Sequence, residues 1–154
     1  MMSAASDVYK NQVYGLEILL RKKAGGFTGW LSYTKSKTEQ KTPGRTASET
    51  GINNGDWYNT NYDKPHDISV TAYYDLSPKW KINSNFAYQT GLPTTYPSGQ
   101  YRFENLTIPV YSPRNSNRLP AYHRLDISAT YIPKPFVKRT YESSWNFGIY
   151  NVYN

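Results

Sequence analysis

Two short stretches of the sequence bring together residue types that could bind a metal ion or transfer protons. Asp63, His66 and Asp67 lie within one pentapeptide, and His123 precedes Asp126 by three residues. A metal site needs three or four converging ligands, whereas a strand sends adjacent side chains to opposite faces. His66 and Asp67 would then point apart, as would His123 and Asp126. We therefore predict no metal site, no catalytic residue and no cofactor.

Aromatic side chains in two long polar stretches are the candidates for ligand contact. Exposed Tyr and Trp rings can stack on sugars or hold a metal chelate, and loops often carry function. The alternative is that these rings pack against neighbouring loops or at a membrane interface. The candidates are Trp57, Tyr58, Tyr62, Tyr96, Tyr101 and Tyr111.

Alternation of apolar and polar residues predicts the strands that must position these groups. The pattern is strictest in "RLDISATY", where Leu125 and Ile127 lie on one side and Arg124, Asp126 and Ser128 on the other. We expect Arg124 and Asp126 to interact on the polar side. The predicted strands are about 13–23, 27–38, 67–76, 80–89, 122–132 and 141–153, after a flexible lead-in at 1–12.

The connections between these strands alternate short and long, with long external loops at 39–66 and 90–121. Outer-membrane barrels have short turns on one side of the membrane and long loops on the other. Ten residues at roughly 3.3 Å each, tilted by about 45°, span about 23 Å of bilayer. The predicted fold class is all-β, an antiparallel up-and-down meander of about six strands. Residues 13–154 would form a segment of a transmembrane β-barrel.

The amino-acid composition favours a protein that lies at an interface or forms a membrane barrel. Of the 154 residues, 38% are apolar and 16% aromatic, including 16 Tyr, and Tyr suits a boundary that is wet on one side. No run approaches the roughly 20 apolar residues of a spanning helix, and no signal peptide is recognisable. With no cysteine there is no disulfide framework. The net charge of +7 admits nucleic acid, anionic lipid or lipopolysaccharide as a neighbour.

The apolar face of the predicted sheet is expected to meet lipid, because the opposite face is rich in Asn, Ser, Thr, Asp and Lys and suits a wet lumen. The predicted lipid-facing residues are Leu16, Ile18, Ile68, Val70, Ile82, Phe86, Leu125, Ile127, Trp145 and Phe147.

Several stretches resemble the late barrel strands of TonB-dependent outer-membrane receptors. They are "YGLEILLRKKAGGFTGWLSYTKSKTE", "YDKPHDIS", "QTGLP", "RLPAYHRLDISATY" and "WNFGIYNVYN", and their order and spacing resemble the family as well. The likeness runs from Tyr14 to Asn154 and is greatest to receptors with a carboxypeptidase-regulatory-like N-terminal domain.

The resemblance implies energised uptake of a scarce nutrient, such as a metal chelate or an oligosaccharide, in the bacterial outer membrane. The implied partners are the remainder of the receptor barrel and its plug, outer-membrane lipid and lipopolysaccharide, a ligand that the sequence does not identify, and TonB through regions that this chain lacks. Six strands are too few to close a transmembrane barrel, which takes at least about eight. We therefore expect the chain to be a piece of a receptor that does not transport anything alone.

A second hypothesis is a soluble β-domain that binds single-stranded nucleic acid through aromatic platforms and basic loops. The basic residues form two loose stretches, one with Lys35, Lys37, Lys41 and Arg45 and one with Lys134, Lys138 and Arg139. A nucleic-acid groove would instead interleave Lys or Arg with aromatic residues on one strand face. We therefore do not expect nucleic acid as the partner.

Overall fold

The computed structural model describes residues 9–46, 48–133 and 143–153, which form β-strands and one short 3₁₀ turn at Ile52–Gly55. The strands are β1 (Lys10–Lys22), β2 (Phe27–Lys41), β3 (Tyr58–Asn59), β4 (His66–Ser77), β5 (Trp80–Gln89), β6 (Pro93–Thr94), β7 (Pro97–Phe103), β8 (Leu106–Tyr111), β9 (Asn117–Arg118), β10 (Tyr122–Tyr131) and β11 (Trp145–Ile149). No helix in these described ranges is long and apolar enough to cross a membrane.

One main sheet has the strand order β1–β2–β4–β5–β10–β11, and β3 pairs with β2 beside this path. Strands that are neighbours in the sheet follow one another along the chain, apart from short strands within the connections. The predicted all-β antiparallel meander is therefore confirmed. Two further ribbons, β6 with β9 and β7 with β8, are separate two-stranded sheets.

The chain divides into two compact units. The loop unit comprises the chain up to Leu16 together with Lys35–Pro65 and Thr90–Ala121. The sheet unit comprises Glu17–Thr34, His66–Gln89 and the chain from Tyr122 onward. Strands β1 and β2 contribute residues to both units.

Strand register gives the sheet unit one apolar face. Residues directly opposite one another on antiparallel strands lie on the same face. Val70 of β4 and Leu125 of β10 both lie opposite Phe86 of β5, and Ile127 of β10 lies opposite Ile149 of β11. The same registers add Ile68, Ala72, Tyr74, Trp80, Ile82, Ser84, Tyr88, His123, Ala129, Tyr131, Trp145 and Phe147 to this apolar face.

The opposite face of the same four strands is polar. One row across it contains Thr71, Asn85 and Asp126, and the next contains Asn83 opposite Ser128. Further members of this polar face are Asp67, Ser69, Tyr73, Asp75, Lys81, Ala87, Gln89, Tyr122, Arg124, Thr130, Asn146 and Gly148. The two faces therefore differ in chemistry across the whole width of β4, β5, β10 and β11.

Close approach of β2 to β4 depends on a glycine. Gly29 has φ +153°, and a Cβ added there would lie 2.2 Å from the carbonyl oxygen of Thr71. Real Cβ contacts essentially never fall below 3.0 Å, so any other residue would push the two strands apart. Trp30, the next residue, packs on Tyr73 of the polar face, with the ring centroids 6.1 Å apart.

The strand bounds differ from the predicted ones at several ends. Lys10–Gln12 belong to β1, although the lead-in was predicted to continue to residue 12, while residues 1–8 lie outside the described ranges. β2 continues to Lys41. Of the predicted strand at 141–153, residues 145–149 form β11, and residues 141, 142 and 154 lie outside the described ranges. The two predicted long loops contain β3 and β6 to β9.

Few apolar side chains of the described residues are fully buried. Among the described residues, Tyr58 is the only buried hydrophobic side chain, at 7% exposure. A soluble domain of about 150 residues usually buries a core of Leu, Ile, Val and Phe. The described part of the chain has no such core.

Candidate functional site

A buried ion pair ties the two long connections together in the loop unit. Asp63 is fully buried, at 0% exposure, and its carboxylate accepts a hydrogen bond from the guanidinium of Arg118. Its Oδ1 also accepts a bond of 2.7 Å from the backbone N–H of Thr38. Arg118 donates further to the backbone oxygens of Asp63, at 3.0 Å, and Gly91, at 3.2 Å. Because a buried carboxylate is costly unless it is paired, this network fixes the end of the first connection against β9.

A buried asparagine makes a second link between the same two connections. The side-chain amide of Asn115 donates to the backbone oxygen of Asn59, at 2.6 Å, and to Oδ1 of Asn61, at 2.8 Å. Its backbone N–H donates to Oγ1 of Thr95, at 2.9 Å. Asn115 has φ +56°, a left-handed conformation that Asn tolerates better than most residues. The two connections therefore form one hydrogen-bonded cluster.

Five of the six aromatic candidates are exposed on the loop unit. The exception is Tyr58, whose hydroxyl lies 3.0 Å from Oγ1 of Thr42 and whose ring lies 6.0 Å from the guanidinium carbon of Arg114. The structure thus places Tyr58 in a packing position, where its ring is not available to a ligand. The exposed five, called the aromatic surface below, are Trp57, Tyr62, Tyr96, Tyr101 and Tyr111.

A hairpin formed by β7 and β8 contributes to the aromatic surface. Tyr101 lies opposite Ile108, and Phe103 lies opposite Leu106, so these four side chains share one face. The turn consists of Glu104 and Asn105, both with positive φ, as a type I′ turn requires. The sequence pattern did not predict this hairpin, because the usual glycine is missing from its turn.

The loop unit also contains a cavity of about 570 Å³, which lies within the size range of small-molecule sites. Its walls include Gly15, Ser36, Lys37, Asp63, Pro65 and Arg118. A Cβ added to Gly15 would lie 2.8 Å from the backbone oxygen of Lys35, so a side chain there would also distort the β1–β2 pairing.

The two histidines singled out in the sequence, His66 and His123, contact tyrosine rings. The Tyr33 hydroxyl lies 2.9 Å from Nδ1 of His66, and their rings are nearly parallel. His123 lies edge-on to Tyr153, at a centroid distance of 5.2 Å. His123 and Asp126 lie on opposite faces of β10. Within the described ranges, no group of three or more His, Asp or Glu residues could hold a metal ion.

On the polar face, Arg124 and Asp126 form a bidentate pair. Arg124 Nε donates to both carboxylate oxygens of Asp126, at 2.8 and 2.9 Å. The same carboxylate accepts a bond of 3.0 Å from the backbone N–H of Asn151. The Arg124 guanidinium carbon lies 5.7 Å from the centroid of the Tyr150 ring. The positive charge of Arg124 is thus neutralised by Asp126 on the same polar face.

The apolar face places the predicted lipid-facing residues of β4, β5, β10 and β11 together. At one end of these strands, Trp80 and Trp145 both lie opposite Tyr131, and the Trp80 and Tyr131 rings are 4.8 Å apart. Trp145 and Phe147 are 63% and 57% exposed. The other two predicted lipid-facing residues, Leu16 and Ile18, are exposed on β1.

The positive charge of the first basic stretch is partly neutralised by acidic neighbours. Lys37 Nζ lies 2.7 Å from Oε1 of Glu39, and Arg45 Nε lies 3.5 Å from Oε2 of Glu49. The second basic stretch, with Lys134, Lys138 and Arg139, lies outside the described residues.

Compared with family models, with curated proteins and with solved structures, the chain matches none of them.

Proposed function

We propose that this chain forms part of the barrel of a TonB-dependent receptor in the bacterial outer membrane. In this role it contributes to the energised uptake of a scarce nutrient, such as a metal chelate or an oligosaccharide. It performs no chemistry on that nutrient.

The observation that carries the proposal is an apolar sheet face whose side chains are half-buried or exposed, in a sheet without a core. Register aligns the apolar residues of four strands on one face, and Tyr58 is the only buried hydrophobic side chain among the described residues. Soluble monomers rarely expose a continuous apolar surface of this kind. A lipid neighbour would account for this apolar surface, because a barrel strand places every second residue in the bilayer and the others in a polar lumen.

The aromatic cluster of Trp80, Tyr131 and Trp145 also supports a membrane position. Barrel strands have girdles of aromatic residues at the membrane–water interfaces, where the ring is apolar and its edge is polar. These three side chains lie side by side on the apolar face, near the end of each strand. We assign them to one such girdle.

Further strands must join the sheet if it spans a membrane. Transmembrane barrels have at least eight strands, whereas the main sheet of the described residues has six along its path, with β1 and β11 at its two ends. Backbone groups left unpaired in lipid would cost several kcal/mol each. The remainder of the receptor barrel is therefore the first partner, followed by the plug, outer-membrane lipid and lipopolysaccharide. TonB would act through other regions of the receptor.

The aromatic surface is assigned to the external ligand mouth. Its five rings are exposed, and the Asp63–Arg118 pair and Asn115 order the connections that present them. An ordered loop loses less conformational entropy when it binds a ligand, which favours affinity.

The distribution of charge does not favour nucleic acid as the ligand. A stacking groove for single strands interleaves Lys or Arg with aromatic side chains. The apolar face carries Tyr74, Trp80, Tyr131, Trp145 and Phe147 without a Lys or Arg among its paired residues.

Tryptophan quenching by brominated lipid tests the proposal. The chain has four Trp residues, so a variant that keeps one of them and has Phe at the other three reports a single position. We expect strong quenching of Trp145, on the apolar face, in vesicles with bromine on the acyl chains. Trp30 serves as the control, because it packs on Tyr73 of the polar face. Equal quenching of Trp30 and Trp145 would contradict the assignment of the two faces.

A further inference from the structure

A groove of about 350 Å³ lies at β1, β2 and β4, and the residues that line it all belong to the sheet unit. Trp30 of β2 packs on Tyr73 of the polar face. Because adjacent strand residues point to opposite faces, Leu31 lies on the apolar face, as do Val70 and Ala72. The apolar wall of the groove consists of Leu20, Phe27, Leu31, Val70 and Ala72.

Small residues leave the floor of this groove open. Gly29 has no side chain, and its backbone approaches β4 so closely that an added Cβ would lie 2.2 Å from the carbonyl oxygen of Thr71. Ala72 contributes only a methyl group to the floor. Phe27 and Leu20, by contrast, are 50% and 61% exposed and stand beside it. A groove of this kind gives an acyl chain more close contacts than a flat apolar surface does.

Two cations, Arg21 and Lys22, line the same groove. Nζ of Lys22 lies 5.7 Å from the centroid of the Phe27 ring. Both cations are exposed, and within the described ranges neither forms an ion pair with a carboxylate. The described lining residues include no Asp or Glu. The groove thus combines an apolar wall with positive charge that is not neutralised, which is complementary to an acyl chain with an anionic headgroup.

The groove lies at the end of the sheet that carries the aromatic cluster. The backbone N–H of Asp75 donates a bond of 2.8 Å to the carbonyl oxygen of Gly26, in the turn between β1 and β2. Asp75 lies opposite Lys81, the residue after Trp80 of the cluster. Lys22 is therefore near the level assigned above to the membrane–water interface. Short turns of outer-membrane barrels face the periplasm, so the adjacent leaflet is the one that contains phospholipid and not lipopolysaccharide.

We propose that this groove binds an anionic phospholipid of the periplasmic leaflet. One acyl chain lies against Leu31, Val70 and Ala72, and the ammonium group of Lys22 pairs with the lipid phosphate, with Arg21 as the second cation. The inference rests on the proposed function, because the groove meets lipid only if the apolar face lies in a membrane. It deepens that function by assigning one class of lipid to one place on the sheet.

Native mass spectrometry of the 154-residue chain tests this directly, because it counts the lipids bound to each chain. The chain is held in tetraethylene glycol monooctyl ether, a detergent without charge. The probes are dioleoylphosphatidylglycerol, which is anionic, and dioleoylphosphatidylcholine, which has the same acyl chains and no net charge. We expect one phosphatidylglycerol to bind at least about tenfold more tightly than phosphatidylcholine. Glycerol 3-phosphate, which has no acyl chain, should not displace it.

One pair of variants tests the charge. Lys22→Gln should weaken phosphatidylglycerol binding about fivefold, as loss of one basic residue near a lipid surface does, and should leave phosphatidylcholine binding unchanged. Lys79→Gln is the matched control. Lys79 is exposed between β4 and β5, next to Trp80 at the same end of the sheet, but does not line the groove. This variant should bind both lipids like the unaltered chain.

A second pair of variants tests the shape. Ala72→Leu should weaken the binding of phosphatidylglycerol at least about tenfold, because the larger side chain fills the groove. Ala129→Leu is the matched control, since Ala129 is also half-buried on the apolar face, opposite Ile82, but lies outside the groove. It should leave lipid binding unchanged.

Four results would overturn the inference: equal binding of the two phospholipids, displacement of phosphatidylglycerol by glycerol 3-phosphate, equal effects of Lys22→Gln and Lys79→Gln, or full binding by Ala72→Leu. Trp145 quenching separates these results from failure of the proposed function. Strong quenching without a preference for phosphatidylglycerol refutes the phospholipid site alone. Weak quenching of Trp145 refutes the membrane assignment, and the phospholipid site with it.

Discussion

Ile127 and Ser128 are adjacent in β10 and provide the sharpest test of the two faces. Ile127 lies four residues from Tyr131, which belongs to the aromatic cluster. Four residues at roughly 3.3 Å, tilted by about 45°, correspond to a depth of about 9 Å. The apolar band of a barrel is about 25 Å tall, so the proposed barrel would place Ile127 close to the middle of that band. Ile127→Lys should therefore lower the free energy of unfolding in lipid by about 2–4 kcal/mol, which is a factor of roughly 30 to 900 in the folding equilibrium.

The assay is guanidinium unfolding of the chain in lipid vesicles, followed by tryptophan fluorescence. Ser128→Lys is the matched control, because Ser128 lies opposite Asn83 and Gly148 on the polar face. It should change the unfolding free energy by less than about 1 kcal/mol, as surface substitutions away from special features usually do. If the two lysines destabilise the protein equally, or if Ser128→Lys is the more harmful, the assignment of faces is refuted.

Three further predictions concern the buried ion pair, the close approach of β2 to β4 and the aromatic surface. Asp63→Asn should destabilise the loop unit by about 3–5 kcal/mol, because it leaves the guanidinium of Arg118 without its charge partner; amide hydrogen exchange at the Thr38 N–H should accelerate, and unchanged protection there would show that the pair does not hold the connections. Gly29→Ala should cost about 1–3 kcal/mol through overpacking against β4, and an unchanged melting temperature would rule out the close approach. Trp57→Ala should weaken ligand uptake by the intact receptor at unchanged receptor levels, whereas Tyr58→Ala should lower stability by about 3–5 kcal/mol, as loss of a buried aromatic ring does; the reverse pattern would exchange their roles.

The main sheet could be predicted because the alternation of apolar and polar residues within each strand is a local sequence pattern. Alternation in β10 separates Leu125 and Ile127 from Arg124 and Asp126, and the observed register places both pairs as that pattern predicts. The Arg124–Asp126 contact followed from the same spacing, since residues two apart on a strand share a face.

The loop unit could not be predicted in the same way, because its order depends on distant contacts. Asp63 and Arg118 are 55 positions apart, and no local pattern indicates that they pair. The same is true of Tyr58, whose burial depends on Thr42 and Arg114. The β7–β8 hairpin had a local signal in the alternation of Tyr101 and Phe103, but its Glu–Asn turn lacks the glycine that usually marks a two-residue turn.

Partition of the chain between water and detergent shows whether lipid covers the apolar face. Far-ultraviolet circular dichroism of both fractions reports whether the strands form in each solvent. The proposal predicts a β-rich chain in detergent and aggregated or unfolded chain in plain buffer. A chain that is β-rich, monomeric and soluble in plain buffer would contradict it, because the apolar face would then be covered by the chain itself.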